Sequence, residues 1–198
     1  MIKNVIFDIG NVLLDFCWKD HIARFGFQGE KADRIAQAMM LGPIRPKLDL
    51  GLESDEDILE QFVAHTPELE QEIRLVFSDL STIVREYEGS VDWIESLKAR
   101  GYHTYYLSNY GERIRREASK ELSFLSHMDG GIMSYTVHLA KPDPAIYQTL
   151  LDRYGLKAEE CVFLDDTVRN VEAAQALGIA GIVVTSQEQA KKELETLL

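Results

Sequence analysis

Cysteine is nearly missing from this sequence. Only Cys17 and Cys161 occur among 198 residues, too few and too far apart for a disulfide framework or a cysteine-based zinc site. Long apolar runs are missing too: none approaches the ~18 residues that a membrane-spanning helix needs. At the N-terminus Asp8 interrupts the apolar run before a signal-peptide core has formed, so no leader is expected. Basic residues are scarce beside acidic ones, 21 Lys and Arg against 33 Asp and Glu, for a formal charge of -12. A surface of that sign repels phosphate backbones and anionic lipid, which argues against nucleic-acid or membrane partners. The five histidines are scattered, with no His-x-x-x-His spacing, and none is given a metal role. Repeats and low-complexity tracts are absent. What these absences leave is a soluble protein of a reducing compartment, expected to be cytoplasmic and a monomer or weak homodimer.

What is present is an ordinary globular balance, 45% hydrophobic and 27% charged residues, arranged in two patterns. Val5-Ile6-Phe7, Tyr105-Tyr106-Leu107 and Val162-Phe163-Leu164 are short β-type runs, each followed by polar residues. Gly131-Ile132-Met133 and Gly181–Val184 are weaker runs of the same kind. Helical spacing lies between them: Val91, Ile94 and Leu97 after Ser90 as the expected N-cap; Ile146 to Tyr154 after Asp143-Pro144; Val168 to Leu177 before Gly178. Strands alternating with helices of this length imply a parallel sheet. Residues 16–87 break the alternation. Helices are expected around Trp18–Phe25, Lys31–Met40, Asp55–His65 and Glu68–Val84, with Gly42–Gly51 as a loop and no strand. The reading is an α/β fold: a Rossmann-like parallel-sheet core, 1–15 and 88–198, with an inserted all-α cap, 16–87.

Ligands bind beyond the carboxyl ends of parallel strands, and chemistry-bearing residues stand there. The first run ends in Asp8, another in Ser108-Asn109 and another in Asp165-Asp166, while Lys141 precedes the helix opened by Asp143. Singly each has a bland reading as a turn, cap or loop residue. Adjacent acids are less bland, because like charges at one strand end repel unless a cation is present. In this order the residues describe a phosphate site. An Asp8 carboxylate can attack phosphorus; Mg2+, a hard cation, suits carboxylate and phosphate oxygens. The Ser108 hydroxyl and nearby N–H groups can hold phosphate oxygens, and Lys141 neutralises charge.

These motifs resemble those of the haloacid dehalogenase-like hydrolases over nearly the whole chain. They are Phe7-Asp8-Ile9-Gly10-Asn11-Val12, Leu107-Ser108-Asn109, Lys141-Pro142-Asp143-Pro144, and Phe163-Leu164-Asp165-Asp166 with Asn170 four residues on. The resemblance implies Asp8 as nucleophile, with Ser108, Asn109 and Lys141 at the phosphate. It implies Mg2+ held by Asp8, the Gly10 carbonyl and Asp166, with Asp165 behind or acting through water and Asn170 in place of an acid. Most phosphatases of this family carry a second Asp two residues after the nucleophile as general acid/base; here that residue is Gly10. The Asp-x-Gly-Asn-Val form looks like a bacterial branch that includes sugar-phosphate phosphatases, some acting on glucose 1-phosphate. An anomeric phosphate is a good leaving group and needs less protonation, which fits the missing acid. The implied activity is a magnesium-dependent phosphomonoesterase acting on a small phosphorylated metabolite.

Asp15, seven residues after Asp8, is a candidate stand-in for the acid; its alternative is a hinge or capping Asp. Arg45 and Lys47 in the 42–51 loop can contact a second polar group of the substrate, or be solvated charges. Trp18 can cover a sugar face or serve as core. Two rival functions remain: a 2-haloacid dehalogenase, which would leave Asp165-Asp166 as unpaired charges, and a catalytically weak member that binds a phosphorylated ligand or a protein.

Overall fold

The computed structural model describes residues 1–198. The apolar runs become five parallel strands: β1 (Asn4–Phe7), β4 (His103–Ser108), β5 (Gly130–Met133), β6 (Cys161–Asp165) and β7 (Ala180–Val183). They lie in the order β5-β4-β1-β6-β7, all neighbours running parallel. Alternation along each strand feeds two apolar layers, as a sheet buried on both faces requires. Val5 and Phe7 pack on one side with Ile94 of α6 (Ser90–Ala99) and Leu194 of α10 (Gln187–Glu195). Ile6 and Phe163 pack on the other with Ile146 and Leu150 of α8 (Pro144–Tyr154) and Ala174 of α9 (Val168–Ala176). β1 is central, with β4 on one side and β6 on the other, so the order of strands reverses about it. That is the switch point where open α/β sheets place their ligands.

The helical segment contains α1 (Trp18–Arg24), α2 (Gly29–Met39), α3 (Arg45–Leu50), α4 (Asp55–His65) and α5 (Glu70–Phe77). Its interior, with Ile22, Ile35, Phe62 and Phe77, is continuous with the α6 side of the sheet. Four expectations are corrected here. Residues 42–51 are not a loop: α3 forms, with Pro46 in its first turn and Gly51 beyond its end at φ +63°. The last helix stops at Phe77 rather than Val84, and Val84 opens β3 (Val84–Glu86). The segment is therefore not free of strand: β3 pairs antiparallel with β2 (Leu14–Phe16), a ribbon carrying both connections to the sheet. Ser90 is not an N-cap; Gly89, at φ +84°, takes that place, and the Ser90 hydroxyl donates to the Leu13 carbonyl. Asp143 does cap its helix, accepting from the Ala145 N–H. No helix is long and apolar enough to cross a membrane.

Candidate active site

The carboxyl ends of β1, β4 and β6 adjoin because those strands are neighbours. Beyond them lies a cavity of about 220 Å3 whose walls include Asp8, Gly10, Ser108 and Asp166. Leu14, Phe16, Val84 and Ile114 of α7 (Glu112–Glu117) make an apolar part of the wall, with Arg45 of α3 among them. The sequence therefore places on one cavity residues as far apart as Asp8 and Asp166, 158 positions.

Asp8 is buried. Its Oδ1 accepts from the Ile9 N–H at 2.7 Å and lies 2.8 Å from Lys141 Nζ, which leaves Oδ2 free of both groups. Burial raises the Asp8 carboxyl well above the usual carboxylate range, and Asp165 adds to the rise against the pull of Lys141. Lys141 is the reverse case. Burial opposes its charge, but the carboxylates of Asp8 and Asp165 outweigh it and lift the ammonium above its ordinary value. The lysine stands behind Asp8 rather than on the cavity wall, with two of its three donors directed at Asp8 and Asp165.

Asp165 has no exposure. Its oxygens are taken by Lys141 Nζ at 2.6 Å, the Thr167 N–H at 2.7 Å and Asn170 Nδ2 at 3.1 Å. Asn170 thus orients Asp165 and does not reach the cavity. Asp166 does reach it, and its Oδ2 accepts from Asn11 Nδ2 at 2.8 Å. Carboxylate oxygens of Asp8, Asp165 and Asp166 all lie within 4.8 Å of one another. Lys141 offsets one of these three charges, and the excess favours a further cation among the oxygens. All-oxygen donors suit a hard divalent ion, so the residues fit magnesium.

Asn109 lines the cavity with Ser108, and its side-chain amide holds the Lys141 backbone, Nδ2 donating to the carbonyl and Oδ1 accepting from the N–H. Asp15 lies on the opposite face of β2 from Leu14 and Phe16, and its carboxylate accepts from Cys17 Sγ. It is not on the cavity wall. Lys47 turns outward to Gln61 and Glu53, and Trp18 packs half-buried beside the core. Arg45 reaches the cavity, held by an ion pair with Asp49 one turn along α3 and lying over the Phe16 ring.

Two wall residues escaped the sequence reading. Asn11, at φ +55°, and Thr167 immediately follow Gly10 and Asp166, and that adjacency was the available signal. Tyr110 is a third: it lines the cavity, and its hydroxyl is buried without a partner.

Comparison with known proteins follows the same lines. A family model for haloacid dehalogenase-like hydrolases matches residues 2–178. The chain is 34% identical over 116 residues to acyl-CoA dehydrogenase family member 10 of Mus musculus, covering 59% of the chain and only 11% of that protein. It is 29% identical to a phosphorylated carbohydrates phosphatase of Thermotoga maritima, covering 96% of this chain and 89% of that one. Its fold is similar, with TM-score 0.72 and 22% identity, to a family enzyme of Bacteroides thetaiotaomicron crystallised with magnesium and inorganic phosphate, covering 94% and 96% of the two chains.

Proposed function

This chain belongs to the haloacid dehalogenase-like hydrolases, and from that membership we propose that it is a magnesium-dependent phosphomonoesterase acting on a small sugar phosphate. The observation that carries the reading is the meeting of Asp8, Ser108 and Asp166 on one cavity, with Lys141 directly behind Asp8. Asp8, Asp166 and the Gly10 carbonyl would hold the metal, with Asp165 fixing Lys141 in place. When bound, the ion supplies positive charge that lets three carboxylates and a phosphate share one site and polarises the phosphoryl oxygens.

Asp8 Oδ2 attacks phosphorus. The bond to the leaving oxygen breaks, its electron pair stays on that oxygen, and the phosphoryl group is left on Asp8. Ser108 and nearby backbone N–H groups hold the non-bridging oxygens, and Lys141 offsets charge from behind Asp8. No acid stands at residue 10 to protonate the leaving group, so the proton comes from water and good leaving groups are favoured. General acid help is typically worth ~10²–10⁴ in rate, which leaves a slower phosphatase rather than an inert one. Water then attacks phosphorus, the bond to Asp8 breaks, and phosphate and the free carboxylate are restored.

Residues 16–87 act as the cap in this reading. Phe16 and Val84 shield the reacting atoms from water, and Arg45 offers two or more donors to a hydroxyl or anionic group of the substrate. The carbohydrate-phosphatase relative from Thermotoga, matched along nearly its whole length, supports a sugar phosphate. A haloacid is disfavoured, because its own carboxylate would meet Asp166 without a compensating cation.

The deciding experiment is a phosphate-release screen with Mg2+ over sugar phosphates, nucleotides and small phosphoesters, with Asp8→Asn as control. Release from a hexose phosphate that is lost in Asp8→Asn and on chelation is expected. Equal activity of the two proteins would overturn the nucleophile, and activity surviving chelation would overturn the metal.

A further inference from the structure

Beyond the cavity, one polar contact between the cap and the end of β5 is made by the buried hydroxyl of Ser134. Its side chain is wholly buried, in a 3-10 turn, Ser134–Thr136, directly after β5. Oγ accepts from the Tyr110 N–H at 2.9 Å and donates its own proton to the Asp49 carbonyl at 2.5 Å. One hydroxyl therefore links the last turn of α3 to the loop that follows Ser108 and carries Asn109.

The surrounding approach is close. A β-carbon at Gly51 would stand 2.8 Å from Tyr135 Cβ, and one at Gly111 would stand 3.1 Å from Leu48 Cγ. His138 Nδ1 lies 2.8 Å from the Leu50 carbonyl, one residue beyond Asp49. On the cap side the connection continues through the side chain of Asp49, paired with Arg45, which reaches the cavity wall. The path is unbroken: Tyr110, Ser134, Asp49, Arg45.

We propose that Ser134 is a positioning residue for substrate choice, setting where the Arg45 guanidinium stands relative to the phosphate loop by tying the Asp49 carbonyl to the Tyr110 N–H. This rests on the reading of Arg45 as a contact for the leaving group. Without the hydroxyl, a buried donor and a buried acceptor lose their partners at once. Such groups seek water, and they reach it when α3 lifts from the turn, taking Arg45 with it. Ser108 is held within β4 and Asp8 lies at the end of β1, neither bonded to α3, so a displacement of α3 acts on Arg45 first.

The test compares wild type, Ser134→Ala and Ser134→Cys, the cysteine keeping the size of the side chain with a weaker donor and acceptor. In Ser134→Ala, KM for a hexose phosphate is expected to rise about tenfold with kcat within about twofold, while KM for acetyl phosphate stays put. Ser134→Cys is expected to fall between. Adding Arg45→Ala to Ser134→Ala is expected to raise KM no further, because the two act through one contact. Equal losses on both substrates, or independent losses in the double variant, would reduce Ser134 to a structural hydroxyl. Hydrogen exchange gives a readout that needs no turnover: amides of 45–51 are expected to exchange faster in Ser134→Ala. If wild type hydrolysed neither ester, the phosphatase reading would fall. The exchange result would still decide the link, and unchanged exchange in α3 would overturn it.

Discussion

The side-chain amide of Asn109 grips the backbone of Lys141 from both sides, Nδ2 to the carbonyl at 2.9 Å and Oδ1 to the N–H at 2.8 Å. An Asn at the end of β4 thereby fixes the start of the segment that delivers the buried ammonium to Asp8. Asn109→Asp keeps the acceptor and loses the donor, so the lysine backbone is held at one point instead of two. A displacement of about 1 Å at a reacting group costs up to ~10² in rate. The expected outcome is a 10- to 100-fold fall in kcat, on the scale of such a displacement, with little change in KM, measured by steady-state phosphate release.

Gly10 marks a vacancy of chemistry rather than of space. A β-carbon built there meets nothing within 4 Å, and the backbone is outside the left-handed region, so a side chain can start there without a clash. Gly10→Asp places an acid on the cavity wall beside the leaving oxygen. The expected result is a gain of about tenfold or more in kcat on alkyl phosphates, within the range of general acid help, and a much smaller gain on p-nitrophenyl phosphate. Comparing the two substrates in one set of assays checks it; equal gains would point to an effect other than protonation.

The cluster of Asp8, Asp165 and Asp166 predicts opposite effects of one substitution on the metal-free and metal-loaded protein. Asp166→Asn removes a like charge, so the metal-free protein is expected to melt higher than wild type. It also removes a ligand, so the rise in Tm that Mg2+ gives wild type should shrink or vanish, and activity should fall about 100-fold, as when an electrostatic contact to the reacting group is lost. Thermal melts with and without Mg2+ separate these effects.

His21 predicts a pH dependence of stability that is independent of the active site. Its ring is wholly buried, between the Thr82 hydroxyl and the Val76 carbonyl. Burial holds the imidazole below its ordinary value of 6.5, against the opposing pull of the Val76 bond. The folded protein therefore keeps this ring neutral while the unfolded chain takes up the proton. Stability from this group is complete above about pH 6.5 and is lost as pH falls through that value. Urea midpoints at about pH 7.5 and 5.5 should differ less in His21→Gln than in wild type, because the variant lacks the linked proton.

The fold was legible where apolar runs end in chemistry. Val5-Ile6-Phe7 before Asp8, and Val162-Phe163-Leu164 before Asp165-Asp166, announced both strand and site, because a buried strand must be apolar and its end must be polar. The ribbon of β2 and β3 was not legible: three residues such as Leu14-Asp15-Phe16 carry no period of their own, and a partner 70 positions away (Asp15 and Arg85) makes them a strand. α3 could have been read from Pro46 near its start and Gly51 past its end. Asn109 could not have been assigned to the Lys141 backbone, since local sequence offers a turn and only the tertiary fold supplies the other 32-residue separation. The same holds for Asp15, whose candidacy depended on the face of β2 it would occupy.

The ribbon has a consequence for how such a chain can diversify. Both crossings between sheet and helices pass through adjacent strands, Leu14–Phe16 and Val84–Glu86, in fixed register. A replacement for the intervening helices has only to begin and end on two neighbouring, oppositely running strands. The catalytic strand ends need not be rebuilt when the helices change. On the proposed division of labour, selectivity can thus be exchanged as a cassette, with the reaction left where it is.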